Sequence, residues 1–146
     1  MIAKYTFLAA IFSTLYMTGL IWFVQVVHYP LFGKVGTGNF TTYESHHTMR
    51  TGWVVAPVML LELASTSLLL LYRPHFIRPY EAIVLVLLTI GVWASTFFIQ
   101  VPLHGTLIGG MDLESIRKLV SSNWIRTILW TGKGLLCCWI VGRLIV

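Results

Sequence analysis

A carboxylate in the middle of a long apolar run is the most constraining feature of this chain. Residues 52–71, GWVVAPVMLLELASTSLLLL, are apolar over the length that a bilayer core requires of one helix, about 20 residues. Glu62 stands at the centre of that run. A charge at such depth costs at least about 2.5 kcal/mol on insertion scales, so it turns inward and finds a partner or a task. The other apolar runs are read by asking what each presents to Glu62.

Three further runs have the same length, so the predicted spans cover about 5–27, 52–71, 82–103 and 124–146. In lipid every backbone N–H and C=O must be satisfied within the segment, which makes each run a helix. Short connections make successive helices antiparallel neighbours. The expected fold is all-α: a single four-transmembrane-helix antiparallel bundle over residues 1–146, an integral, multi-pass membrane protein. Between the third and fourth spans, DLESIRKLV places Leu113, Ile116 and Val120 on one face, with Asp112 as N-cap. It is expected as a short amphipathic surface helix. The first apolar run is too long for a signal-peptide core and no small-residue cleavage site follows it, so it is read as an uncleaved span.

Composition narrows the partners. Charged residues make up 10% of the chain against about 25% in soluble domains, and the lipid bilayer is the expected environment. The net charge of +5 comes without any basic cluster beyond adjacent pairs, which excludes nucleic acid and places the cations at anionic headgroups. Charges on the two faces nearly tie, so the positive-inside rule assigns neither an orientation nor a particular membrane. Cys137 and Cys138 are adjacent in an apolar segment and read as small apolar filler.

Histidine is distributed unevenly. His28, His46, His47 and His104 all fall at one end of a four-span bundle, joined there by Asn123 and Arg126, whereas His75 falls at the other. Helical spacing carries this pole inward. Thr14, Thr18, Gln25 and His28 share a face of the first span; Thr96, Gln100 and His104 recur every fourth residue on the third; Asn123, Arg126, Trp130 and Lys133 form a stripe on the fourth. Counted inward from that pole, Glu62 and Lys133 both lie about 15–18 Å deep, from which an intramembrane ion pair is predicted.

Three chemistries suit these residues. Imidazoles from several helix ends, His28, His46, His47 and His104, are the ligand type for a metal ion or haem, with Glu44 or Asp112 completing a mixed set, although no fixed metal-binding spacing is present. A pocket for an aromatic or quinone-like ligand would take its polar groups from Gln25, Gln100, Asn123 and Arg126. Trp53, Trp93, Trp124, Trp130, Tyr29 and Tyr43 would wall it. Glu62 and Lys133 suit a proton relay, or a structural ion pair that fixes helix register. Beside these stand blander readings, in which the histidines bond headgroups and water and the tryptophans form an interfacial belt.

The third span ends QVPLHGTL and the fourth opens NWIRTILW. Val101-Pro102-Leu103 followed by Asn123, Arg126 and Thr127, with VHYPLF leaving the first span, resembles the anthrone oxygenase-like family of small four-span membrane proteins, a domain of unknown function. His104 stands where that family usually has asparagine. The resemblance implies a membrane bundle whose best-known relatives oxidise phenolic anthrones with dioxygen. The functional expectation is therefore an oxidoreductase or oxygenase-like protein acting on an aromatic or quinone-like substrate, with His28, His47, His104 and Arg126 as catalytic residues. The alternative is a non-catalytic accessory subunit of a larger membrane complex, packing against other membrane subunits.

Overall fold

A computed structural model describes residues 1–145; Val146, with which the predicted fourth span ends, lies outside the described residues. Four helices make up the chain: α1 (Ile2–Lys34), α2 (Phe40–Leu68), α3 (Pro79–Ile108) and α4 (Leu113–Ile145). Each is long and apolar enough to cross a membrane, and no strand occurs among the described residues. The connections are tight. Gly36 (φ 83°) and Gly110 (φ 153°) hold the turns before α2 and α4 in backbone conformations that L side chains rarely adopt. Pro79 occupies the first turn of α3, where its missing N–H is not needed, and the Glu81 carboxylate accepts the Arg78 backbone N–H at 2.9 Å.

The core is stacked in three apolar layers, each fed by several helices. At one end Phe7 and Ala10 of α1 meet Ala82 and Leu85 of α3 and Cys137 and Ile140 of α4. In the middle, Met17, Ile21, Met59, Val92 and Trp130 pack together. At the other end Tyr29, Phe32, Phe40, Leu107, Ile116 and Leu119 form a third cluster. Close approach of α1 to α4 depends on Gly134, where a Cβ would stand 3.1 Å from Thr18 Oγ1. The Thr18 hydroxyl uses that approach to donate across the helix pair to the Trp130 carbonyl at 3.0 Å. Outward faces are apolar, as lipid requires; Phe98 is 82% exposed.

Two features differ from the sequence expectation. Helix α2 starts at Phe40, well before the predicted span at Gly52, because hydropathy marks where a helix enters lipid rather than where it begins. The segment DLESIRKLV is not a separate surface helix but the opening of α4. Its Ile116 and Leu119 are buried against Phe32, Phe40 and Leu107, and no glycine or proline before Trp124 interrupts the helix.

Both α1 and α3 are interrupted by a π-helical stretch, Val24–His28 and Thr96–Gln100, which in each case ends two residues before a proline. A proline removes one ladder hydrogen bond and crowds the carbonyl four residues earlier, and a wider turn relieves that clash. The two stretches bring Gln25 and Gln100 inward, where both are buried.

Candidate functional site

Two buried polar centres lie at different depths. The deeper one is built on Glu62, which has no exposed surface. Lys133 Nζ donates to Glu62 Oε1 at 2.8 Å and also to Thr66 and Thr89, at 3.1 and 2.6 Å. Thr14 donates to the same carboxylate oxygen at 3.0 Å, and the Trp130 indole N–H reaches both oxygens, at 3.2 and 3.0 Å. The depth count along α2 and α4 and this geometry coincide. Every ammonium proton has an acceptor and each carboxylate oxygen a donor, which is what keeps a buried ion pair from being costly.

The second centre gathers at the pole. Arg126, 7% exposed, is fixed by the Asn123 side-chain oxygen, which accepts Nε–H at 2.9 Å and one terminal N–H at 2.6 Å. Asn123 in turn donates to Gln25 at 2.9 Å, and Gln25 donates to the Val120 carbonyl. Held this way, the guanidinium donates to the Tyr29 hydroxyl at 3.1 Å and to Gln100 at 3.3 Å. Tyr29 lies 3.0 Å from His104 Nε2, and His104 Nδ1 lies 2.5 Å from the wholly buried Glu44. One tautomer matches every donor to an acceptor: His104 donates Nδ1–H to Glu44 and accepts the Tyr29 hydroxyl at Nε2. A carboxylate behind one ring nitrogen fixes the tautomer and the orientation of the imidazole.

Beside this network a cleft of about 450 Å³ opens between α2 and α3. Its room comes from small residues on both walls: Gly52 and Ala56 on α2, Gly105 on α3, with open space where either glycine's Cβ would stand. Val55, Met59, Trp93, Phe97 and Val101 make most of it apolar, and Tyr29, His47, Gln100, His104 and Arg126 close one end. That is the usual make-up of a small-molecule site, an apolar body with a few converging polar groups.

The predicted site residues divide accordingly. His47, His104, Arg126 and Gln100 border the cleft; Gln25 and Asn123 lie behind it and hold Arg126. Trp130 stays out of the cleft, fully buried as a donor to Glu62. His28 turns away and meets His47, with Nε2 and Nδ1 2.9 Å apart. His46 is exposed and faces a separate open recess. The four histidines do not form a ligand set, and no three His, Cys, Asp or Glu side chains converge as one among the described residues. The physical reason is that their ring nitrogens face each other, Tyr29 and Glu44 instead of a common point.

Sequence reasoning treated Tyr29 as a wall and Glu44 as one of two alternatives for a metal set; their joint hold on His104 was missed. The signal available was weak: Glu44 lies three residues before His47, so the two share a face only if the helix begins before the apolar run. No family model, no curated protein and no solved structure matches this chain. The likeness drawn from its sequence therefore rests on short motifs. The structure puts Val101-Pro102-Leu103 directly after the α3 π-helical stretch and Asn123 and Arg126 in the network behind the cleft.

Proposed function

We propose that this protein is a multi-pass membrane bundle of antiparallel helices that binds a small aromatic, phenol- or quinone-like molecule in the α2–α3 cleft. The ligand's hydroxyl group replaces the Tyr29 hydroxyl at His104 Nε2; His104, backed by Glu44, takes its proton there, and Arg126 and the released Tyr29 hydroxyl donate hydrogen bonds to the oxygen left behind. Loss of that proton gives the electron-rich phenolate on which oxidation of a phenol begins, so the site suits an oxidoreductase. The observation that carries this reading is His104, oriented by a buried carboxylate, at the polar end of an otherwise apolar cleft whose lining includes the exposed apolar residues Phe97, Val101 and Ile108. A ligand dissolved in the bilayer enters such a cleft sideways without crossing water.

The test uses the full chain in lipid nanodiscs and alizarin, a dihydroxyanthraquinone whose colour changes when a hydroxyl ionises. Saturable binding of one dye per chain, with the colour of the ionised form, is expected above the background of empty nanodiscs. Gly105→Leu, which fills the cleft, should abolish saturation, and His104→Leu should retain binding while removing the colour change. Binding that is indifferent to Gly105→Leu would exclude the cleft, and with it this function.

A further inference from the structure

His47 belongs to two compartments. On one side it borders the α2–α3 cleft with His104; on the other it borders an open recess of about 570 Å³ at the pole, together with His28, Asn39, Tyr43, His46 and Arg50. Its ring lies 5.3 Å from that of His104, centroid to centroid, close enough for a ligand hydroxyl or a water in the cleft to touch both. Behind it, His47 Nδ1 is 2.9 Å from His28 Nε2, with the Thr51 hydroxyl 3.1 Å from the same His47 nitrogen. His28 Nδ1 has no hydrogen-bond partner among the described residues, and the half-buried ring faces the recess.

We infer that the His47–His28 pair is a proton path joining the membrane-embedded cleft to the aqueous recess. The inference rests on the cleft's binding a hydroxylated ligand. The transfer balances without any further reactant. A proton passes from the ligand oxygen to His104 and on through a cleft water to His47 Nε2, leaving His104 neutral again; the Nδ1 proton of His47 moves to His28 Nε2; and the Nδ1 proton of His28 leaves to water in the recess. The ligand is left as its anion, both imidazoles end neutral with hydrogen on Nε2, and the reverse sequence reloads them. Two adjacent imidazoles suit this because each has one nitrogen to accept and another to donate. The ionisable groups that face the pair are Glu44 and Tyr43 on α2, Tyr29 on α1, His104 on α3 and Arg126 on α4, with His46 and Arg50 at the recess. Glu44 is the one acid among them, and the relay leaves each imidazole neutral because every proton it takes up on one nitrogen is matched by one given up from the other.

The path separates binding from proton release, and the experiment reads both. Alizarin is mixed with nanodisc-held protein in weak buffer; dye colour reports ionisation in the cleft, and an external pH indicator reports the proton in bulk water. In the native protein the two signals should rise together. In His28→Gln, which keeps a hydrogen-bonding group against His47 but cannot relay a proton, the dye should bind equally tightly. Its proton should then appear more slowly, on the order of tenfold or more, and free imidazole should restore part of the rate. His28→Phe, whose thermal unfolding identifies any folding defect, should be slowed to the same extent. His75→Gln, at the opposite end of the bundle, should leave both signals unchanged. Equal proton-release rates in native protein and His28→Gln would overturn the path while leaving the cleft intact. Absence of saturable dye binding to the native protein would overturn the cleft reading and the path with it.

Discussion

The chain buries two glutamates completely and treats them in opposite ways. Glu62 faces a permanent cation and spends both oxygens on Lys133, Thr14 and Trp130. Glu44 faces an imidazole, and its Oε2 has no hydrogen-bond partner. A carboxylate whose two oxygens both meet fixed donors, and which is paired with a buried ammonium, acts on helix register. A carboxylate bonded through one oxygen to an imidazole leaves its second oxygen without a donor. Depth alone does not separate structure from chemistry in this bundle; saturation of the donor and acceptor positions does.

Breaking the deep pair should have the largest effect. Lys133→Met leaves Glu62 buried without its cation and should lower stability by about 3–5 kcal/mol, measured by unfolding in mixed micelles. The double variant Glu62→Leu/Lys133→Met should recover most of that loss, because it removes the stranded charge as well. If the single and double variants prove equally unstable, the ion pair is not what matters at that depth, and the contrast with Glu44 fails.

Glu44→Gln sharpens the contrast from the other side. The amide keeps the side chain's shape and an oxygen for His104 Nδ1–H but puts an unpartnered NH2 at the buried Oε2 position, so stability should fall by about 1–3 kcal/mol, less than for Lys133→Met. Ionisation of a bound hydroxyanthraquinone should also fall by about tenfold or more, since the imidazolium that forms loses the carboxylate facing it. A Glu44 variant as unstable as Lys133→Met would place both glutamates in the same structural role.

The smallest expected effect lies at an exposed carboxylate, Asp112, which sets the scale for the two buried ones. It caps α4 by accepting the backbone N–H groups of Glu114 and Ser115 at 3.1 and 2.9 Å. Hydrogen bonds from Ser115 hold its carboxyl below the usual aspartate range. Because the folded-state value is depressed, the cap's contribution is complete above the ordinary value of 3.8 and is lost as pH falls through the folded-state value. Protection of the Glu114 and Ser115 amides, taken as the ratio of intrinsic to observed exchange rate at each pH, should fall across that window in the native chain, and in Asp112→Ala it should be low and independent of pH.

The deep centre was legible in the sequence and the polar pole only in part, for a physical reason. Glu62 and Lys133 each sit in an apolar run, so residue count converts directly to depth and the two depths agree. Around Glu44, His46 and His47 no apolar run fixes where the helix begins, so the same count has no origin. The span boundary at Gly52 hid the fact that Glu44 and His47 belong to one helix. The stripe on α4, from Asn123 to Lys133, was recoverable because that helix is uninterrupted, and all four of its residues are buried. The cleft left only a faint trace, because the small residues that make it, Gly52, Ala56 and Gly105, look like ordinary helix-packing residues.

The π-helical stretches have a consequence for anyone redesigning this molecule. A residue accommodated in a widened turn advances everything beyond it by about 100° relative to an unbroken α-helix. Helices α1 and α3 are therefore each two gears on one shaft, offset at Val24–His28 and at Thr96–Gln100. A helical wheel drawn over the whole of α1 and anchored on Thr14 misplaces Tyr29 and Phe32, and one drawn over α3 and anchored on Thr89 misplaces His104. Grafts, chimeras and cysteine scans should be indexed separately on either side of each offset, with the proline as the reference mark.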